Sequence, residues 1–254
     1  MEIKRKPLQG VSNIIRFNLP YYLFATIAVI TLFIIAVVFS IPVSNIASII
    51  AWLALFTTVA SLVVSIYVYD LSGLYKLSWL DDTDVKSSGS MVNINAGFDE
   101  FSGLLQHKYP AAQLAVWDFY NPEKHTEPSI QRARKYYGQY NGTLTVSTSS
   151  LPTSNASANA VFLMMAAHEI RDDDERILFF KELNRILVED GRIIVTEHLR
   201  DTANFLAYNI GFMHFLSRSS WCNTFKEAGL IILNEIKITP FITTFVLTKN
   251  GIAS

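Results

Sequence analysis

Two places in this chain set a histidine beside a glutamate directly after an apolar run. His168-Glu169 follows Ala160–Met165, and Glu197-His198 follows Arg192–Thr196. A histidine so placed titrates near neutral pH and can orient or deprotonate a phenol or hydroxyl, with the neighbouring acid in support; the plainer role is to satisfy loop backbone. Arg171 could hold an anionic substrate group or pair with Asp172–Asp174. Glu197-His198-Leu199-Arg200-Asp201 is dense in titratable groups and reads either as a substrate contact or as a surface ion network. A third kind of chemistry lies upstream, in Asn93-Ile94-Asn95-Ala96-Gly97-Phe98-Asp99 and Trp117-Asp118-Phe119-Tyr120. An acid at a strand end can accept hydrogen bonds from both hydroxyls of a ribose, and a glycine at a neighbouring turn admits close backbone approach. Asp118 could equally cap a turn.

Other chemistries are excluded. There is no G-x-S-x-G elbow, no Walker loop and no G-x-G-x-x-G. A single cysteine, Cys222, rules out a disulfide framework and multi-cysteine clusters, and none of the five histidines pair at H-x-x-x-H spacing, so no metal site is expected. A formal net charge of -1 supplies no field for nucleic acid.

The elements that must position these residues alternate. Met91–Asn95, Leu114–Asp118, Thr143–Ser147, Ala160–Met165 and Arg192–Thr196 read as strands, the last introduced by an Asp190-Gly191 turn. Asp99–His107, Glu127–Tyr137, Asp172–Val188 and Ser219–Ala228 read as helices, with Gly229 a C-cap. Ile231–Ile238 and Ile242–Thr248 form a terminal antiparallel pair. Strand and helix in alternation predict a doubly wound, mostly parallel α/β sheet, Rossmann-like, with an antiparallel terminal strand. Ser147–Ser157 reads as a polar loop. Asn204–Phe215 reads as an amphipathic helix carrying Phe205, Tyr208, Phe212 and Phe215, either an apolar acceptor wall or core packing.

Hydrophobic residues make up 50% of the chain, and the excess is concentrated near the start. Tyr21–Ile41 and Ile46–Tyr69 carry no charge, and each is long enough to cross a hydrocarbon core of ~30 Å. A Pro42-led turn joins them, and tyrosines stand at their outer ends. A signal peptide would be shorter and would carry a cleavage motif; a buried pair of soluble helices is the other alternative. Lys4, Arg5, Lys6 and Arg16 precede the first span, so the positive-inside rule places them in the cytoplasm, and two crossings return the chain there. The expected organisation is a basic cytoplasmic segment 1–20, a transmembrane hairpin 21–70, a juxtamembrane connector 71–90 and an α/β domain 91–254.

From Met91 to Lys249 the chain resembles the class I S-adenosylmethionine-dependent methyltransferases. The most specific stretch is Ala160–Arg200. There Val161–Ile170 looks like the family's fourth strand and following loop, Phe180–Leu187 like its "E-hydrophobic-x-R-hydrophobic-L" helix, and Asp190–Glu197 like its fifth strand. The nearest branch methylates quinones, lipids and small hydrophobic molecules. The family's cofactor loop, D/E-x-G-x-G-x-G, is altered: the acid is Asn93, the first glycine Asn95 and the last Asp99, with Gly97 retained.

The resemblance implies S-adenosylmethionine as cofactor, held by Asn93, Asn95, Gly97, Asp118, Phe119 and Ser147. Asn93 would accept through its amide oxygen, Asn95 would hold a positive φ, and Ser147 would make a neutral contact to adenine. It further implies His168 and Glu169 as catalytic, with Arg171, His198, Tyr208 and Phe212 toward the substrate. The expected partners are the bilayer, a hydrophobic small-molecule acceptor such as a lipid or quinone, and conceivably a membrane protein, but no nucleic acid. The expected location is a membrane (the inner one in a bacterium) with the catalytic domain cytoplasmic. A non-catalytic methyltransferase-like domain that binds a lipid or protein is the alternative, and a nicotinamide-dependent reductase a third.

Overall fold

The computed structural model describes residues 5–125 and 127–251. Its centre is a sheet whose strands are β1 (Ser88–Asn95), β2 (Ala111–Asp118), β3 (Leu144–Thr145), β4 (Ala158–Met164), β5 (Leu187–His198), β6 (Leu230–Thr239) and β7 (Ile242–Lys249). The spatial order is β3-β2-β1-β4-β5-β7-β6. The first five are parallel to their neighbours, and β7 runs antiparallel to both β5 and β6. This is the doubly wound arrangement that the alternation predicts, with the order reversing beside β1 and β4.

Both faces of the sheet are covered, which is why its central strands are continuous apolar runs rather than alternating ones. On one face α6 (Asp173–Ile186) and α8 (Arg218–Glu227) bury Phe179, Phe180, Leu183, Trp221 and Phe225 against Val161, Leu163 and Val195. On the other, α4 (Ser102–Lys108) packs beside residues 68–80. Residues 71–80 of the juxtamembrane connector expected over 71–90 belong to that second layer. Leu74, Leu77 and Leu80 are almost wholly buried there with Phe162 and Ile194. At roughly 1.5–3 kcal/mol for each buried large apolar side chain, this segment belongs to the domain's core.

Two boundaries also shift. The Asp190-Gly191 turn lies within β5, which pairs Leu187 with Ala158 and then Arg192 with Ala160, so the intervening residues bulge out. Thr143–Ser147 contributes only Leu144–Thr145 to the sheet. No helix links β3 to β4; the serine-rich loop is instead pinned by α6. Arg185 donates to the carbonyls of Thr153 and Leu151 at 2.8 and 3.0 Å, and Glu182 accepts from the Leu151 N–H at 2.9 Å. The acidic and basic positions of the family-like helix thus hold a loop.

Ahead of the sheet stand α1 (Gln9–Phe17), α2 (Leu19–Val38) and α3 (Val43–Ile66), the last running on into a wider turn over Tyr67–Leu71. α2 and α3 are long and apolar enough to cross a membrane. They pack on each other, with Phe33 edge-on to Trp52 at 5.3 Å, and leave their outer faces open: Phe24 is 72% exposed and Val37 86%. Within the segment 1–20, expected as a basic N-terminus, Gln9–Phe17 is helix. Asp70 accepts from the backbone N–H groups of Gly10 and Val11 at 2.7 and 2.9 Å, satisfying two donors that a helix start leaves free. Gly10 permits that approach, since a Cβ there would lie 2.4 Å from Tyr69 Cβ. α1 is thereby locked to the base of the hairpin and laid across the sheet's C-terminal edge.

Candidate active site

The parallel strands deliver their C-terminal ends to one edge, where β1 and β2 finish side by side with Asn95 opposite Asp118. Asn95 is the last strand residue and does not take the positive φ expected of it; Gly97 does, at +95°. The Asn95 side chain accepts from the Gly97 N–H at 3.0 Å and so shapes the turn. Asp99 replaces the family's last glycine as a helix cap, accepting from Phe101 and Ser102 N–H at 2.9 and 3.0 Å. Asn93 donates to Ser102 Oγ at 2.8 Å, and its Oδ1 is buried without a partner.

Asp118 is 2% exposed. Its Oδ1 accepts from the Tyr120 N–H at 2.8 Å, while Oδ2 takes Arg134 at 2.5 Å and Gln139 at 3.0 Å. Both outer donors come from α5 (Pro128–Tyr136) and the residues just after it. Arg134 also lies over the Tyr120 ring, and its atoms are the ones that a Cβ on Gly97 would strike. A guanidinium therefore stands in the space between the glycine turn and the strand-end acid.

Beside this locus is a cavity of about 210 Å³ with a mostly apolar lining. Its floor is Ala96, Met164 and Met165 at the strand exits, and its roof is α1, through Asn13, Ile14 and Phe17. Glu100 ties roof to floor. It accepts from Arg5 and from the Tyr75 hydroxyl, both at 2.8 Å, and more loosely from Asn13. Phe17 packs edge-on to Phe98 at 5.3 Å, and the Tyr137 hydroxyl donates to Asn13 at 2.8 Å.

One wall of the cavity carries charge. His168 and Glu169 form a short turn after β4, and His214 arrives from the turn over Asn209–His214. His168 Nδ1 lies 2.6 Å from Glu197 Oε2, its Nε2 3.3 Å from Glu169 Oε1, and His214 Nε2 3.5 Å from the same oxygen. Burial alone would depress the His168 pKa, but Glu197 and Glu169 overcome it and raise it to about 10. The two carboxylates thus favour the protonated ring, with Glu197 its close partner, whereas a general base near neutral pH needs the neutral form. Glu169 is buried, which favours its neutral form, yet the two histidines hold its pKa well below the ordinary value.

The other expected residues divide. His198 lines the cavity, but both of its nitrogens are engaged. Nδ1 faces the Phe241 carbonyl at 2.9 Å and must donate, so Nε2 accepts from the Tyr69 hydroxyl at 2.7 Å. Burial lowers its pKa to about 4, so it is neutral. Its role is to join the hairpin's base to β5.

Tyr208 sits behind His198 and Phe215, and Phe212 pairs with Phe205 at 5.1 Å; neither lines the cavity. Of the Asn204–Phe215 stretch, His214 and Phe215 line the cavity, whereas Phe212, expected as acceptor wall, does not. Arg171 does not reach the cavity either, since its guanidinium lies against the His214 ring and carbonyl. Phe119 is core, packed on Phe179 at 5.5 Å, and it also lines a second cavity, of about 460 Å³, shared with Tyr120 and Ser147. Ser147 is exposed there and bonds Ser149. Sequence reasoning missed Arg134, Glu100, Tyr69 and the α1 residues as parts of the site, and it left His214 without a role.

No protein-family model matches the chain, and no curated protein does. Solved structures do match it. One is a SAM-dependent methyltransferase from Aquifex aeolicus, with a TM-score of 0.54 and 12% identity over 70% of this chain and 90% of that one. A second is the PH0226 protein from Pyrococcus horikoshii OT3, with a TM-score of 0.51 and 16% identity over 68% of this chain and 87% of that one. The domain has the Rossmann-like fold of the class I methyltransferases.

Proposed function

We propose that the chain is a membrane-anchored S-adenosylmethionine-dependent methyltransferase acting on a hydrophobic acceptor, a lipid or quinone in kind. The observation that carries the reading is the pairing of a buried strand-end acid, Asp118, with the positive-φ Gly97 turn in a β3-β2-β1-β4-β5-β7-β6 sheet, directly beside an apolar chamber.

The residues fit the cofactor. Asn93 Oδ1 is a buried acceptor with no partner, Gly97 leaves room that a side chain would fill, and Asp118 can exchange Arg134 and Gln139 for two ribose hydroxyls. Once bound, the cofactor supplies an electrophilic methyl group on a sulfonium. The chain's own part is to orient the acceptor against that methyl and to exclude water. Met165 and Phe215 supply apolar lining, α1 closes the roof, and Glu169 and His168 present the polar wall.

Anchoring is supported by the exposed apolar faces of α2 and α3 and by the position of α1. α1 touches both the hairpin's base and the sheet edge, which needs both ends of the hairpin on one side of a bilayer. The basic residues around α1 make that the cytoplasmic side. α7 (Thr202–Tyr208) packs on α3, so the chamber's rim stands close to where the spans enter. A lipid-soluble acceptor would be concentrated there.

Arg134 favours a second reading, a non-catalytic domain whose nucleoside locus is filled by its own guanidinium. One assay separates the two. Membranes carrying the full chain are given methyl-labelled S-adenosylmethionine, and products are partitioned between organic and aqueous phases. Label is expected in the organic phase. Label confined to protein or water-soluble material would overturn the hydrophobic acceptor, and no transfer at all would favour the second reading.

A further inference from the structure

We propose that His168, Glu169 and His214 form a site for one divalent transition-metal ion of zinc-like preference, with an open position facing the chamber. The three residues offer ligand atoms that all lie within 4.8 Å of one another. Two gaps, both to one oxygen of Glu169, suit a shared ion better than a hydrogen bond. His168 Nε2 to Glu169 Oε1 is 3.3 Å and His214 Nε2 to the same oxygen is 3.5 Å. Charge-assisted hydrogen bonds usually close to about 2.7–2.9 Å, as His168 does with Glu197 at 2.6 Å. Metal bonds of about 2.0–2.1 Å instead set neighbouring ligand atoms of a tetrahedron about 3.3–3.4 Å apart.

The surroundings are those of a ligand set. Glu197, 1% exposed, holds His168 by Nδ1 and so aims Nε2 at the cluster, the carboxylate–histidine arrangement that orients metal-bound imidazoles. Glu127 stands 3.8 Å from His214 Nδ1, on the corresponding side of the second ring. Two imidazoles and one carboxylate suit zinc and its first-row neighbours, and three protein ligands leave a fourth position free. All three residues line the chamber. Arg171 Nη2 lies against both ring nitrogens of His214, 2.9 Å from Nε2, and must swing outward, as its exposed position allows, before Nδ1 has Glu127 as its neighbour.

The ion's purpose rests on the methyl-transfer reading. Its open position would take an acceptor oxygen and favour the deprotonated, nucleophilic form of that oxygen. The acceptor class narrows accordingly to phenols, enols and hydroxyls.

The test uses the full chain in detergent micelles, stripped with chelator and titrated with Co2+. One equivalent is expected to give the intense visible absorption of a four-coordinate ion, and one equivalent of Zn2+ should abolish it. Glu169→Gln and His214→Gln should each weaken cobalt at least about tenfold. His214 is only half-buried at the chamber wall, so its variant keeps the result readable if Glu169→Gln fails to fold. His107→Gln, on the exposed end of α4, should leave the spectrum unchanged. A six-coordinate spectrum, or a tight site that survives both substitutions, would overturn the proposal. The signal requires no S-adenosylmethionine, so failure of the metal site and failure of methyl transfer are read apart.

Discussion

Asp118 ends β2 as a buried carboxylate that accepts from three donors, the Tyr120 N–H, Arg134 and Gln139. Arg134 offsets its charge and Gln139 adds a hydrogen bond, because an unpartnered buried carboxylate would cost several kcal/mol. On the proposed function, cofactor binding at Asp118 would displace that guanidinium, and the measured affinity would include the exchange. His198 offers a separate check on the site's inner wall. Its folded pKa, about 4, lies below the ~6.5 of an unfolded histidine. Its contribution to stability is thus whole above pH 6.5 and is lost as pH falls from 6.5 toward 4, on the order of a few kcal/mol. Denaturant midpoints in micelles should fall across that window more steeply in the native chain than in His198→Gln. Parallel slopes would mean that His198 is not held neutral.

At the scale of elements, α1 decides whether the chamber has a roof. Gly10→Val forces a side chain into Tyr69, which should break the Asp70 cap and release the helix. Hydrogen exchange over residues 9–17 should then rise by roughly tenfold or more, while α6 and β5 hold their protection; unchanged exchange would show that α1 docks by other contacts. The strands and α6 were legible because continuous apolar runs and helical spacing are local signals, and Asp118 and Gly97 were legible because they sit at strand ends. α1's role was not, since it depends on Asp70 and Glu100, each far along the chain. Nor was the pairing of Glu169 with His214, which lie 45 positions apart. Phe212 was misplaced for a geometric reason. α7 ends at Tyr208, Asn209 takes a φ of +50°, and the tighter turn that follows points His214 and Phe215 inward in its stead.

The whole molecule is a methyltransferase-fold domain whose roof, hairpin and core segment are one continuous stretch of chain. Residues 68–80, which follow directly on α3, complete the sheet's second layer. The topology reading predicts that a reporter fused after residue 254 behaves as cytosolic, and activity of that reporter only outside the cytosol would reverse the orientation. The most direct test of the central claim is a calorimetric titration of the full chain with S-adenosylmethionine, in native form and as Asp118→Ala. Hydrogen bonds to a charged acceptor contribute about 1.5–3 kcal/mol each. The native chain should therefore bind one equivalent, and the folded variant should bind at least about tenfold more weakly. No binding by the native chain, or equal affinity in both, would contradict the placement of the cofactor at the β1 and β2 ends.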